Sequence, residues 1–173
     1  MEDKARNILI SEEEIRVKVR EVGKQITKDY KEKKLYVLSL LRGSFIFTAD
    51  LVRNIELDTT IGFMTTSSYG HSETSNGNIV VVNDVPDDLN GYDVLIVDDI
   101  VDTGITMDFV VGYVQSKGAA SVKTCTLLDK PSRRKVEIAP DYCCFVIEDV
   151  FVVGYGLNYG DHYRNVPYVF NWK

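Results

Sequence analysis

Apolar residues first recur along the chain at helical spacing. Ile15, Val19, Val22 and Ile26 fall on one face, and Ser11-Glu12-Glu13-Glu14 ahead of them fits a capping box, so a helix is predicted to about Tyr30. The period then changes. LYVLSLL (35–41) is a short continuous apolar run, consistent with a buried strand; RGS turns the chain and FIFTADLVRN reads as a second helix. DTTIGFMTTSSY has strand composition and ends in SSYGHSETSNGN, a polar stretch without apolar periodicity that is expected to be a mobile loop. IVVVND is a further strand, PDDLNGYD is turn chemistry, and VLIV is again buried-strand in character. A helix is predicted from about Gly104 to Lys117, closed by Gly118. VKTCTLL (122–128) is a strand, DKPSRRK a basic loop, and YCCFVI and VFVVGYG two short strands.

Strands alternating with helices predict an α/β fold with a mostly parallel sheet and crossover connections. In such sheets ligands bind beyond the carboxyl ends of the strands, near a topological switch point. RGS, DDIVDTG and DKPSRR each follow a strand directly, so all three are expected on one rim. No repeat, low-complexity tract or linker divides the 173 residues, which fit one domain of 1–173 with a real core.

Composition narrows the partners. A net charge of −6 argues against nucleic acid, whose backbone wants a basic surface. It leaves room for a small anionic ligand where positive groups gather, and Arg42, Lys130, Arg133, Arg134 and Arg164 all fall in expected loops. No apolar run approaches a membrane span, and MEDKARNILI is too charged for a secretory signal. Cys125, Cys143 and Cys144 make a poor disulfide framework and no zinc spacing, so reduced thiols and a cytoplasmic location are expected.

The densest chemistry lies in VLIVDDIVDTGITM, residues 94–107. Asp102-Thr103-Gly104-Ile105-Thr106 has what a phosphate cradle needs: Gly104 allows close approach, Thr103 and Thr106 offer hydroxyls, and the opening helix supplies unpaired N–H groups. Asp98 and Asp99 cannot hold phosphate, but they can hold hydroxyls or Mg²⁺, a hard cation usually shared between carboxylates and substrate phosphates. A sugar with a phosphate at one end and a metal-bound pyrophosphate near the other would use all these groups, and ribose 5-phosphate 1-pyrophosphate is such a molecule. DTG alone is weak, since simple N-cap chemistry produces it. A response-regulator receiver also has an acidic pair, but no strand here supplies its lone Asp, although Lys130 could serve as its Lys.

The complete run, four apolar residues, two acids, two apolar residues and DTG-x-T, resembles the phosphoribosyl-pyrophosphate signature of type I phosphoribosyltransferases. LLRGSF, SSYG, LLDKPSRR, FVVGYGLNY and YRNVPY follow the order of the hypoxanthine–guanine phosphoribosyltransferase family and span roughly residues 35–170. The resemblance implies a type I phosphoribosyltransferase fold: a core of about 35–150 and a small hood formed by the chain ends, about 1–15 and 140–173. It implies purine salvage, with hypoxanthine or guanine and phosphoribosyl pyrophosphate giving IMP or GMP and pyrophosphate.

The same resemblance assigns roles. Asp102 matches the catalytic acid/base at the purine N7. Asp98 and Asp99 match the pair that holds the ribose and a metal, and Asp102, Thr103, Gly104, Ile105 and Thr106 match the 5-phosphate loop. Leu41, Arg42 and Gly43 match the pyrophosphate loop, in which the family has a cis peptide between the first two residues; Arg164 matches a second pyrophosphate ligand. Lys130 matches the donor to purine O6, Phe151 the stacking ring, and Val152 and Asn158 residues that meet the purine edge. Ser68 and Tyr69 match the mobile loop that closes over the site. The implied cofactor is Mg²⁺, held by Asp98, Asp99 and Asn158, and the implied assembly is a homodimer or homotetramer.

Three positions depart from the family's pattern. Asp98 stands where Glu is usual, Asn158 where Asp is typical, and Glu148 where Pro is common. Asn158 keeps an oxygen for Mg²⁺ but lacks the charge, so weaker binding of a second ion is expected. Glu148 is read as a structural change; the departures at Asp98 and Asn158 leave an alternative on the same fold, a non-catalytic regulator sensing phosphoribosyl pyrophosphate or nucleotides.

Overall fold

A computed structural model describes residues 7–69, 78–86 and 88–172. Its main sheet has six strands in the order β4-β3-β2-β5-β6-β7. Here β2 is Leu35–Leu41, β3 Thr59–Tyr69, β4 Asn78–Asn83, β5 Asp93–Val101, β6 Ser121–Asp129 and β7 Tyr142–Val146. All neighbours run parallel except β3 and β4, which are antiparallel. Three helices are described: α1 (Glu12–Asp29), α2 (Phe45–Val52) and α3 (Ile105–Ser116).

The continuous apolar runs of β2 and β5 are explained by cover on both faces. Leu35 and Val37, with Leu95 and Val97, pack into one core with Ile15, Val19, Val22 and Ile26 of α1 and Phe47 and Leu51 of α2. The alternate residues Tyr36, Leu38, Leu40, Val94 and Ile96 pack into a second core with Met107, Val110 and Val114 of α3. At the start of α1, Ser11 Oγ accepts from the Glu14 N–H at 3.3 Å while the Glu14 carboxylate accepts from the Ser11 N–H at 2.8 Å, completing the capping box.

The hydrophobic pattern missed two elements. β1 (Asn7–Ile10) and β9 (Val169–Asn171) join β8 (Val152–Val153) in a separate antiparallel sheet of order β1-β9-β8. Strands this short carry no readable period, and Asn7 pairs with Asn171 across nearly the whole chain. Ile10, Val152 and Val169 bury into the first core, so the small sheet sits on the same hydrophobic mass as α1 and α2. A further correction concerns Ser68 and Tyr69, expected in a loop. Their backbone continues β3, opposite Ile79 and Asn78 of β4, because the hairpin ladder extends into the polar stretch. The rest of that expected loop, residues 70–77, lies outside the described residues.

Candidate active site

The acids at the centre of the site belong to a strand rather than to the turn after it. β5 was expected to end near Val97; it continues through Asp98 and Asp99 to Val101, because β6 still pairs with it, Asp98 opposite Thr126 and Val101 opposite Asp129. The β2 register ends four residues earlier on β5, at Ser39 opposite Val97. There the acid side chains serve the backbone: the Asp99 N–H donates to Asp98 Oδ1 at 2.9 Å and the Ile100 N–H to Asp99 Oδ1 at 3.0 Å. Burial, then repulsion from Asp99, pushes the Asp98 carboxyl well above the usual carboxylate range. Burial also raises Asp99, against the opposing pull of its hydrogen bonds and the Arg164 charge.

The strand ends of β2 and β5 meet at glycine. A Cβ on Gly43 would fall 1.8 Å from Asp99 Oδ2, so only glycine lets the Leu41-Arg42-Gly43 turn lie against the acid. The Leu41–Arg42 peptide is cis. Beneath this turn lies a buried hydroxyl chain: Ser39 Oγ lies 2.8 Å from both Ser44 Oγ and Thr48 Oγ1, and Ser44 Oγ donates to the Leu40 carbonyl at 2.5 Å.

Past β5, Asp102 to Thr106 wrap around the N-terminus of α3. Gly104 has φ +83°, and a Cβ there would collide with Ile138 and Arg134. The Ile105 N–H donates to Thr103 Oγ1 at 3.4 Å and the Asp108 N–H to the Gly104 carbonyl at 2.9 Å. A cavity of about 120 Å³ is lined by Asp98, Ile100, Asp102, Thr103, Gly104 and Thr106. Next to it, sharing Ile100 and Asp102, a cavity of about 240 Å³ is lined by Asp99, Lys130, Phe151, Val152, Leu157 and Asn158. Residues spread over 60 positions of sequence therefore face two adjoining hollows, one beside the glycine turn at the α3 N-terminus and one walled by an aromatic ring. A wider cavity of about 540 Å³, between α1, α2 and residues 155–167, contains none of these groups.

Lys130, which a loop position would leave in solvent, is 7% exposed. Its Nζ donates to the Val150 carbonyl at 2.6 Å and lies 4.0 Å from Asp149 Oδ1. Phe151 is 53% exposed, its ring open for stacking. Its edge meets Tyr159 at 6.0 Å, and Tyr159 in turn stacks on Trp172 at 4.4 Å. The Asn158 amide N–H donates to the Gly160 carbonyl, a bond in which the amide oxygen takes no part. Arg164 Nη1 donates to the Gly156 carbonyl at 2.5 Å while the Gly156 N–H donates to the Arg164 carbonyl at 2.9 Å, a reciprocal clamp on residues 154–157.

Several residues given no role by the sequence support this geometry. Arg134 is almost buried, pairs with Asp129, and donates to the carbonyls of Val101 at 3.2 Å and Asp102 at 2.6 Å. It thereby ties the β6 loop to the backbone that carries Asp102. Arg133 Nε reaches Asp102 Oδ1 at 3.0 Å and its Nη1 reaches Asp149 Oδ2 at 3.4 Å. Trp172 and Tyr159 back the Phe151 ring. The SRR run was a visible signal; the aromatic cluster was not, because its members come from separate segments.

A mostly parallel sheet whose rim gathers an acidic pair, a glycine turn at a helix N-terminus and a ring-walled hollow is that of a phosphoribosyltransferase, and the family model described as "Phosphoribosyl transferase domain" matches residues 7–160. The hypoxanthine phosphoribosyltransferase of Haemophilus influenzae is 48% identical over 166 residues, covering 94% of this chain and 93% of that protein. The hypoxanthine-guanine phosphoribosyltransferase of Bacillus subtilis is 43% identical over 162 residues, covering 94% and 90%. Among solved structures, the hypoxanthine phosphoribosyltransferase of Staphylococcus aureus superposes with a TM-score of 0.93 at 41% identity, covering 96% of this chain and 91% of that one. The chain belongs to the hypoxanthine–guanine phosphoribosyltransferase family.

Proposed function

We propose that this chain transfers the 5-phosphoribosyl group from phosphoribosyl pyrophosphate to N9 of hypoxanthine or guanine, yielding IMP or GMP and pyrophosphate. The observation that carries the reading is the meeting of Asp102, Lys130 and Phe151 around one hollow that adjoins the Asp102–Thr106 cradle. The purine would stack on Phe151, with Lys130 Nζ donating to O6. The cradle at the α3 N-terminus would hold the 5-phosphate through main-chain N–H groups, and Arg42 and Arg164 would hold the pyrophosphate. As N9 bonds to C1 of the ribose, the C1–oxygen bond to pyrophosphate breaks and the N7 proton passes to Asp102. The acids nearby would stabilise the positive charge that develops on the ribose.

Asp98 and Asp99 suit Mg²⁺, since two partly buried carboxylates side by side lose their repulsion beside a hard cation. Among the described residues no three His, Cys, Asp or Glu side chains gather into a metal site, so such an ion would share its oxygens with the substrate. Bound there, Mg²⁺ would neutralise charge on the pyrophosphate. Asn158, with an amide oxygen only, is the weaker site for a second ion. The regulator alternative has no observation in its favour.

The acidic net charge argues against a nucleic-acid partner, three free cysteines suit a cytoplasmic enzyme, and among the described residues no helix is long and apolar enough to cross a membrane. Val17 and Phe45 lie on early helices, each 45% exposed, and suit a face between copies in a homodimer or homotetramer; light scattering would count the chains. The test of function is a spectrophotometric assay with Mg²⁺, phosphoribosyl pyrophosphate and, separately, hypoxanthine, guanine, xanthine and adenine. Turnover of a 6-oxopurine that collapses in Asp102→Asn is the expected result. No turnover with any base would overturn the reading.

A further inference from the structure

A line of alternating charge runs along the purine side of the site: Asp102, Arg133, Asp149, Lys130. Arg133 Nε lies 3.0 Å from Asp102 Oδ1, Arg133 Nη1 3.4 Å from Asp149 Oδ2, and Lys130 Nζ 4.0 Å from Asp149 Oδ1. Stability does not account for it. The side chains of Arg133, Asp102 and Asp149 are 47%, 40% and 53% exposed, and ion pairs this wet contribute little to folding. Their anchoring is nevertheless firm. Arg133 ends the single 3₁₀ turn Pro131–Arg133, its N–H donating to the Lys130 carbonyl at 3.1 Å. The next residue, Arg134, grips the Val101 and Asp102 carbonyls, one from each of the two peptides that flank Asp102.

We propose that Arg133 is a positioning residue: it holds Asp102 by one carboxylate oxygen so that the other faces the purine N7, and through Asp149 it sets that carboxylate against Lys130. The inference rests on the phosphoribosyltransferase reading above. The chemistry favours such a bridge, because N7 and O6 are neighbours on one edge of a 6-oxopurine. N7–H needs an acceptor and O6 a donor, so the acid and the ammonium must keep a set separation. Asp102 and Lys130 lie just past the ends of the neighbouring strands β5 and β6, and the Val150 carbonyl holds the Lys130 Nζ without reference to Asp102. Arg133 and Asp149 join them with charges of the right sign at each step, and a fork-shaped guanidinium can face two acids where a lysine would face one. Reaction rates are sensitive to such placement, since small misalignments of a proton acceptor cost rate without costing binding.

The test is steady-state kinetics on the full chain with hypoxanthine and guanine, comparing Arg133→Gln, Arg133→Lys, Asp149→Asn, Asp102→Asn and the double variant Arg133→Gln/Asp102→Asn. Arg133→Gln is expected to lower kcat by about tenfold or more, with the KM for phosphoribosyl pyrophosphate changed less than about twofold. Arg133→Lys should recover part of that loss. In the Asp102→Asn background Arg133→Gln should change kcat by less than about twofold, because a residue acting through Asp102 has nothing left to position. Asp149→Asn should lower kcat in the same direction by a smaller factor, and it keeps the test alive if Arg133→Gln does not fold. Wild-type turnover that collapses in Asp102→Asn but is unchanged in Arg133→Gln, or an equal loss in both backgrounds, overturns the inference alone. No wild-type turnover with any base overturns the function as well.

Discussion

Gly43 and Gly156 face each other across the rim of the sheet: a Cβ on Gly156 would stand 2.1 Å from the Gly43 carbonyl oxygen. Gly156 also has φ +103°, a backbone region that side chains rarely tolerate. The turn after β2 and the loop after β8 thus touch backbone to backbone. Gly156→Ala is expected to cost about 2–4 kcal/mol, from backbone strain plus the clash, and to weaken phosphoribosyl pyrophosphate binding. Urea unfolding and calorimetric titration would measure the two effects.

Lys130 and Phe151 should separate on different kinetic readouts. Lys130→Met removes a charged hydrogen bond worth about 1.5–3 kcal/mol, so kcat/KM for hypoxanthine should fall about ten- to hundredfold while donor binding stays. Phe151→Ala removes a stacking face and should raise the KM for every purine. If Lys130→Met left kcat/KM unchanged, the O6 assignment would be wrong.

Trp172→Ala should act on the same ring from behind. Trp172 stacks on Tyr159, which meets Phe151 edge-on; the main-chain N–H of Trp172 donates to the Phe151 carbonyl at 2.9 Å, a bond that alanine keeps. Loss of the indole frees Tyr159 and, through it, Phe151. A higher KM for the purine and a lower melting temperature are expected, with the KM for phosphoribosyl pyrophosphate unaltered.

Asn158→Asp adds a charge beside the purine hollow. Calorimetric titration of Mg²⁺ onto the complex with phosphoribosyl pyrophosphate should show tighter uptake of a second ion than in the parent chain. Equal uptake in both would place that ion elsewhere.

Asp98 gives a pH-dependent prediction. Its carboxyl pKa is raised in the folded chain, so between the unfolded value and the folded one the native state binds the extra proton. Stability contributed by this group therefore falls as pH rises. Asp98→Asn should melt higher than the parent at neutral pH without metal, and the advantage should shrink towards pH 4. A constant difference across that range would show that the carboxyl is not perturbed.

The periodic elements were legible because their signals are local. The α1 face, the capping box, the continuous run of β2 and the DDIVDTG sequence each announce themselves within a few residues, and a phosphate cradle needs only a glycine, hydroxyls and a helix start in order. Placing RGS, DDIVDTG and DKPSRR on one rim also followed, because a parallel sheet puts every strand's carboxyl end on the same side. Tertiary structure decided what depends on distant partners. β1 is a strand because it finds β9, β9 because it lies between β1 and β8, and β5 continues past Val97 because β6 pairs with it. Lys130 is buried although its loop is basic. Arg133 lies against Asp102 and Asp149, and Trp172 backs Phe151 through Tyr159. Those contacts join residues between 8 and 31 positions apart that lie in separate segments, and no local period reports them; only the packed fold does.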